Sequence, residues 1–232
     1  MSQERILLCG ASRGIGAAVA QHLADRGAGL ISVSRTPAVA GHWVQADLST
    51  PEGIATTVAA VGSEPLDALL YLGGVWETGA FTEAYDFQES PDAESRFLLA
   101  VNLVAPIELV KALAGNLAAA PNPRVIAVGS TSGLENRASP EVANTASKFG
   151  LRGALQALRL ALRGRGIAFT LLNPANVATD EVLADIEDGS FSPQEPIPLS
   201  DLIASINLLL SLSPASEVIQ LDIGQRWGGQ RA

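Results

Sequence analysis

The residues with the clearest chemical use form a glycine-rich turn near the start of the chain, Gly10-Ala11-Ser12-Arg13-Gly14-Ile15-Gly16. The turn follows a short apolar run, Arg5–Cys9, and opens an amphipathic segment that extends from Ile15 to Arg26. Glycines let the backbone turn sharply and approach a ligand closely, while a helix N-terminus offers unpaired N–H groups and a partial positive charge. The strand–turn–helix context therefore predicts that this turn binds the pyrophosphate of a dinucleotide.

A second group of polar residues ends the next apolar run, which reads Ser32-Val33-Ser34-Arg35-Thr36. A carboxylate at such a turn accepts hydrogen bonds from an adenosine ribose and repels a 2′-phosphate. No acidic residue stands here, and Arg35 can form charge-assisted bonds to a phosphate, as can Arg13 from the glycine turn. The two arginines together favour NADP(H); the alternative is that Arg35 points into water.

Strand-like and helix-like segments alternate along the chain. The strand-like segments are Arg5–Cys9, Gly29–Val33, Trp43–Ala46, Ala68–Leu72, Arg124–Val128, Ile167–Leu172 and Val218–Ile223. Such alternation implies right-handed crossovers and a parallel sheet that helices cover on both faces. The sequence predicts an α/β fold, a single doubly wound Rossmann domain over residues 1–232 with a seven-stranded parallel sheet. A sheet of this kind binds ligands beyond the carboxyl ends of its strands, near the reversal of strand order.

Four further motifs fall at predicted strand ends or on the helix between two strands. They are Asp67-Ala68-Leu69-Leu70-Tyr71-Leu72-Gly73-Gly74, Val101-Asn102-Leu103, Val128-Gly129-Ser130-Thr131-Ser132-Gly133 and Asn173-Pro174-Ala175-Asn176-Val177-Ala178-Thr179. In this order they resemble motifs of the short-chain dehydrogenase/reductase family: the strand-four glycines, the asparagine helix, the serine strand end and the nicotinamide loop. Ala175 replaces a glycine of that loop, and the two asparagines of the strand-four motif are replaced as well. The resemblance runs from about residue 5 to residue 224.

The resemblance implies roles for individual residues. Ser130 would orient a substrate carbonyl, Lys148 would bind the nicotinamide ribose, and Asn102 would hold a water in a proton relay. The glycine turn and the resemblance together assign these residues to the cofactor: Gly10, Ser12, Arg13, Gly14, Ile15, Gly16, Ser34, Arg35, Asp47, Leu48, Gly73, Gly74, Lys148, Pro174, Val177 and Thr179. Asp47 resembles an adenine-contacting aspartate, although a helix N-cap or turn role fits it equally well.

One position departs from the family, because the catalytic Tyr-x3-Lys motif reads Asn144-Thr145-Ala146-Ser147-Lys148. Asn144 and Lys148 share a helix face, but an asparagine amide cannot exchange a proton at useful pH. Losing a general acid costs ~10²–10⁴-fold in rate. Three replacement donors remain open: a water held between Asn144 and Lys148, the Lys148 ammonium, or a substrate hydroxyl.

Three functions fit these residues. The first is an NADP(H)-dependent carbonyl reductase or alcohol dehydrogenase of the short-chain type, with altered proton donation. The second is a non-catalytic NADP-binding sensor or subunit, and the third is a lyase or isomerase that uses the same pocket. Retention of Ser130, Lys148 and Asn102 favours the first, in which the catalytic set is Ser130, Asn144, Lys148 and Asn102.

The resemblance also implies a substrate lid over residues 180–198, a segment with six acidic residues and no lysine or arginine. Such a lid disfavours strongly anionic substrates. Trp76 and Phe81 are candidates for the walls of a substrate pocket, with ordinary packing as the alternative. Trp227 is a candidate for the pocket or a subunit interface.

The composition indicates which partners and which cellular location to expect. A net charge of −9 argues against non-specific nucleic-acid binding, and we expect neither a membrane span nor a secretory signal. The single cysteine, Cys9, excludes an intrachain disulfide or a multi-cysteine metal site, and we expect no metal. We therefore expect a cytoplasmic enzyme acting on a small-molecule carbonyl or alcohol, and by resemblance a homodimer or homotetramer.

Overall fold

A computed structural model describes residues 3–226. Seven parallel strands form its sheet: β1 (Arg5–Cys9), β2 (Gly29–Ser34), β3 (His42–Gln45), β4 (Ala68–Tyr71), β5 (Arg124–Val128), β6 (Ala168–Pro174) and β7 (Gln220–Ile223). The strand order is β3-β2-β1-β4-β5-β6-β7, so the order reverses between β1 and β4. The doubly wound fold and the parallel sheet are confirmed, and no predicted strand boundary is more than two residues from the observed one.

Helices connect the strands on both faces of the sheet. They are α1 (Gly14–Asp25), α2 (Pro51–Val61), α3 (Asp92–Leu99), α4 (Ala105–Ala118), α5 (Val142–Ala161), α6 (Asp180–Glu187) and α7 (Leu199–Ser211). A π-helical segment, Ala100–Val104, joins α3 to α4, and short 3-10 turns lie at Thr131–Gly133 and Arg163–Arg165.

Alternation of side chains along the buried strands divides the core into two halves. On β1, Leu7 and Cys9 pack into the half that contains residues of α2, α4 and α5. Ile6 and Leu8 pack into the other half, against α1 and α7. Cys9 is buried, and burial raises the pKa of its thiol to about 12, so it is a packing residue.

The helical stretch Asp92–Ala118 is long and apolar enough to cross a membrane by length and composition alone, with a mean hydropathy of 1.9 over an 18-residue segment. A buried core helix passes the same test. In this fold Leu109, Leu113 and Leu117 of the stretch are fully buried in the core beside the sheet. Its apolar character is therefore accounted for by packing inside the fold.

Candidate active site

A cavity of about 330 Å³ lies at the carboxyl edge of the sheet and includes the point where β1 and β4 adjoin. Every residue that the sequence assigned to the cofactor lines this cavity. Ser130, Asn144 and Lys148 of the predicted catalytic set line it as well. The fold thus brings together residues that follow β1, β2, β3, β4, β5 and β6 and are separated by up to 169 positions along the chain.

The glycine turn can approach a ligand because side chains would not fit in it. Gly10 has a φ of +92°. A Cβ there would lie 2.5 Å from the backbone of Gly73, which follows the neighbouring strand β4. A Cβ on Gly16 would lie 2.0 Å from the carbonyl oxygen of Gly10. No side chain caps the N-terminus of α1, whose first turn holds no acidic residue. The turn therefore fits a pyrophosphate, which would take the open N–H groups and the helix's partial positive charge.

Residues after β2 and β3 form the part of the cavity predicted for the adenosine. The guanidinium of Arg35 lies 5.7 Å from the ring centroid of Phe97, a cation–π distance. Asp47 Oδ1 accepts hydrogen bonds from the N–H and hydroxyl of Ser49, so this residue does form a local turn. Partial burial works to raise the pKa of Asp47, but the Ser49 hydrogen bonds and the charge of Arg35 outweigh it and lower the pKa. Asp47 is therefore both a turn residue and a charged wall of the cavity.

Arg13 makes an ion pair across the mouth of the cavity. Its Nη1 donates to Oε1 of Glu181, on the first turn of α6, at 2.8 Å. Both side chains are substantially exposed, so the pair contributes little stability. It nevertheless means that a phosphate at this position would compete with Glu181 for Arg13.

Ser130 lies two residues after the end of β5 and lines the cavity. Its Oγ accepts from the backbone N–H of Ser132 at 3.1 Å and from the Ser132 hydroxyl at 2.9 Å. Because both of these bonds are accepted, the Ser130 hydroxyl hydrogen is left to donate to an oxygen in the cavity.

Lys148 is held in the wall of the cavity by one long hydrogen bond, from Nζ to the carbonyl oxygen of Val128 at 3.4 Å. Burial disfavours the ammonium and lowers the pKa of Lys148 to about 8. An ammonium with three N–H donors and one long bond can reach a further acceptor inside the cavity.

Tyr71 also lines the cavity, but its hydroxyl is engaged elsewhere. The hydroxyl donates to the carbonyl oxygen of Val101 at 2.5 Å. Burial, followed by the influence of Cys9, raises the pKa of Tyr71 well above its usual range. The Tyr71 phenol is therefore not free to donate a proton to a ligand in the cavity.

The loop after β4 holds the first turn of α5, on which Asn144 lies. Oε1 of Glu77 accepts from the backbone N–H groups of Ala143 and Asn144 at 2.8 and 3.0 Å, and Tyr85 Oη accepts from that of Val142 at 3.2 Å. Glu77 is only 3% exposed. A carboxylate at a helix N-terminus is favourable, so Glu77 fixes the position of the helix end that carries Asn144.

We expect Glu77→Ala to lower the free energy of unfolding by about 2–3 kcal/mol, because two buried N–H groups lose their charged acceptor. Urea denaturation measures the change. Glu83→Ala is the matched control, since Glu83 is an exposed acid of the same loop. Equal effects of the two substitutions would contradict the role assigned to Glu77.

Asn102 stands apart from the other predicted catalytic residues. It lies in the π-helical segment, is 1% exposed and does not line the cavity. Its side chain accepts from the N–H of Val75 at 2.9 Å, and donates to the Val75 carbonyl oxygen at 2.7 Å and to Ser147 Oγ at 3.2 Å. In this structure Asn102 positions the strand-four loop behind the cavity wall, and its part in a water relay stays a prediction.

The predicted lid, residues 180–198, comprises α6 and the chain that returns from it. Two backbone hydrogen bonds join the end of this segment to the chain that precedes it. The N–H of Ile197 donates to the carbonyl oxygen of Asn176, and the carbonyl oxygen of Ile197 accepts from the N–H of Ala178, both at 2.8 Å. Thr179 caps α6 through a hydrogen bond from the N–H of Val182. Glu181, Val182, Asp185 and Phe191 of the lid segment line the cavity.

Sequence reasoning missed several residues that shape the site. Glu77, Phe97 and Phe191 belong to no motif, since their roles depend on contacts between segments far apart in the chain. A burial pattern could not have separated Glu77 and Phe191 from other loop residues, or Phe97 from other residues of α3. Trp227 lies outside the described residues.

Comparison with known proteins agrees with this architecture. The family model described as short chain dehydrogenase matches residues 4–188. The short chain dehydrogenase ausX of Penicillium brasilianum is 28% identical over 204 residues, 82% of this chain and 74% of its own.

Two solved structures share the fold. A short chain dehydrogenase of Burkholderia cenocepacia in complex with NADP has a TM-score of 0.80 and 24% identity, covering 97% of both chains. The 3-alpha-hydroxysteroid dehydrogenase of a Pseudomonas species, complexed with NADH, has a TM-score of 0.73 and 23% identity, covering 97% of this chain and 96% of its own. With the family match over most of its length, a doubly wound fold and a glycine turn facing Ser130 and Lys148, the chain belongs to the short-chain dehydrogenase/reductase family of oxidoreductases.

Proposed function

We propose that this protein is an NADP(H)-dependent oxidoreductase that interconverts a small-molecule carbonyl and its alcohol, with Lys148 in place of a tyrosine as the proton donor. The observation that carries the proposal is the shared cavity. It joins the glycine turn and Arg35 to Ser130, Asn144 and Lys148.

Arg35 and the acid-free turn after β2 support NADP(H) over NAD(H). Structural neighbours carry either NADP or NADH, so the choice depends on residues of this chain. Arg35 lies on the cavity wall, in contact with Phe97. From that position a guanidinium can bind a 2′-phosphate, and no carboxylate of that turn repels it.

Ser130, Asn144 and Lys148 act on the substrate oxygen. A bound nicotinamide supplies or accepts the hydride. In the reducing direction, Ser130 donates its hydroxyl hydrogen to the carbonyl oxygen, and the Asn144 amide can add a second hydrogen bond. As negative charge develops on that oxygen, Lys148 transfers a proton from Nζ to it and recovers a proton from water. In the oxidising direction the neutral amine of Lys148 accepts the alcohol proton.

Comparison with three other residues of the cavity supports Lys148 as the donor. Asn144 has no proton to give, and the Tyr71 phenol is bonded to Val101 with a raised pKa. Glu181 is paired with Arg13. Lys148 has a pKa of about 8, which suits a general acid near neutral pH.

We expect Arg35→Asp to raise the dissociation constant of NADPH by about 10- to 100-fold, the cost of a lost charge-assisted bond. Binding of NADH should change by less than about threefold, because NADH has no 2′-phosphate to lose contact with. Titration of nucleotide fluorescence measures both constants. Arg165→Asp, which alters an exposed arginine in the turn before β6, is the charge-matched control. Equal losses for NADPH and NADH would overturn the assignment of Arg35.

We propose that the protein acts in the cytoplasm as a homodimer or homotetramer, without nucleic acid or membrane. The net charge of −9 supports the absence of nucleic acid. Exposed apolar side chains on α5, Phe149 and Leu160, support a subunit contact.

A further inference from the structure

Three aromatic rings meet on the wall of the cavity. The ring centroids of Trp76 and Phe81 lie 6.3 Å apart, and those of Phe81 and Phe191 lie 6.2 Å apart, both in edge-to-face geometry. Trp76 and Phe81 come from the loop after β4, whereas Phe191 belongs to the lid segment. All three line the cavity that contains Ser130 and Asn144. We call Trp76, Phe81 and Phe191 the aromatic cluster.

Two of the three side chains in the aromatic cluster are exposed to solvent. Trp76 is 50% exposed and Phe81 is 42% exposed. Large aromatic side chains gain free energy when their rings are buried, and ring pairs prefer edge-to-face or offset contacts. An apolar ring entering the cavity would cover these faces.

The backbone at Phe81 is held in a conformation that suits few residues. Its φ of +66° lies in the left-handed region, where a bulky side chain is an outlier. The N–H of Phe81 donates to Oε1 of Glu141 at 2.8 Å, and Glu141 is buried. Strained residues persist where their surroundings over-determine them, often at ligand contacts. Glu141 therefore acts as a positioning residue that keeps the Phe81 ring on the cavity wall.

The charges beside the aromatic cluster exclude one class of ligand. Glu181 and Asp185 of the lid line the cavity, and the lid segment has no basic residue. Arg13 already pairs with Glu181, whereas no ion pair among the described residues involves Asp185. A carboxylate or phosphate beside the aromatic cluster would therefore meet the negative charge of Asp185.

We propose that the aromatic cluster makes this enzyme selective for uncharged carbonyl or alcohol substrates whose reacting carbon is attached to a flat aromatic or fused-ring system. This inference rests on the proposed function, because the cluster shares a cavity with Ser130 and Lys148. The flat ring packs against Trp76, Phe81 and Phe191, and this contact orients the carbonyl towards Ser130.

The test compares three ketones that have the same reacting group. They are acetylnaphthalene, the flexible aliphatic octanone, and the anionic acetylnaphthoic acid. We expect kcat/KM with NADPH to be at least about tenfold higher for acetylnaphthalene than for either of the others. Equal values for acetylnaphthalene and octanone would overturn the inference.

Variants locate the preference in the aromatic cluster. Trp76→Ala should lower kcat/KM for acetylnaphthalene by a larger factor than kcat/KM for octanone, and so remove most of the preference. Phe81→Gly should do the same without backbone strain, since glycine adopts positive φ readily. Phe87→Ala, which removes a ring 58% exposed in the same loop but away from the cavity, is the matched control. A loss in Phe87→Ala as large as that in Trp76→Ala would overturn the inference.

A binding measurement separates this inference from the proposed function. Calorimetry gives the affinity of acetylnaphthalene for the protein with and without NADP⁺, and fluorescence gives the affinity for NADPH. Binding of NADPH with no Trp76-dependent binding of acetylnaphthalene would overturn the inference alone. Trp76-dependent binding of acetylnaphthalene with no binding of NADPH would support the aromatic site and contradict the proposed function.

Discussion

Replacing Lys148 with methionine should lower kcat/KM for carbonyl reduction by ~10²–10⁴-fold, the range for loss of a general acid. Methionine retains the length and apolar stem of lysine but has no proton to give. Lys148→Arg is the control variant, because it retains the positive charge. A guanidinium keeps its proton above pH 12, so it should not restore the reaction. Stopped-flow reduction at saturating NADPH measures the effect.

The pH dependence follows from the lowered pKa of Lys148. Burial disfavours the ammonium, so Nζ is charged below a pH of about 8 and neutral above it. Reduction needs the charged form, and kcat/KM should therefore fall about tenfold per pH unit as pH rises through and beyond that value. The negative charge of a bound cofactor would move the decline upwards, never downwards. Oxidation of the alcohol should show the opposite dependence.

Two measurements keep proton donation separate from cofactor binding. The dissociation constant of NADPH should rise for Lys148→Met and stay within about threefold of the parent for Lys148→Arg, which keeps the charge. Full activity in Lys148→Arg, or a pH profile without the alkaline decline, would contradict Lys148 as the donor. Loss of NADPH binding that accounts for the whole effect would assign Lys148 to the ribose alone.

Asn144→Tyr should raise the rate of carbonyl reduction by ~10²-fold or more, because it places a phenol one helical turn from Lys148. The side chain at this position lines the cavity, so a larger ring can extend into open space. Asn144→Phe is the matched control: it adds the ring without the hydroxyl. We expect the phenylalanine variant to be no faster than the parent. NADPH consumption over a panel of aldehydes, ketones and diketones measures all three proteins.

The parent protein's own turnover distinguishes the remaining functions. Measurable turnover by the parent would support a divergent reductase that uses Lys148. Turnover that appears only in Asn144→Tyr would indicate a redox site silenced at one residue and a present role in binding. Conversion of a substrate without net consumption of NADPH would contradict the proposed oxidoreductase and indicate a lyase or isomerase.

The sequence by itself determined the fold and most of the cavity. Strand and helix periodicity are local properties, and parallel crossovers follow one rule of handedness. The carboxyl ends of parallel strands meet at one edge, so motifs after β1, β4, β5 and β6 had to converge. For this reason the sequence predicts that the glycine turn and Ser130 lie together, and the resemblance to the family adds Lys148.

Only the tertiary structure decided how those groups behave chemically. Burial lowers the pKa of Lys148, which lies on α5 beside Gly133 and donates to the carbonyl oxygen of Val128. The hydroxyl of Tyr71 is occupied by its bond to the π-helical segment. Glu77 and the aromatic cluster act through contacts between distant loops, and Asn102 lies behind the cavity wall, bonded to Val75. Side-chain identity and spacing record which groups a chain carries, whereas proton affinity, strain and solvent exposure depend on which distant segments pack around them.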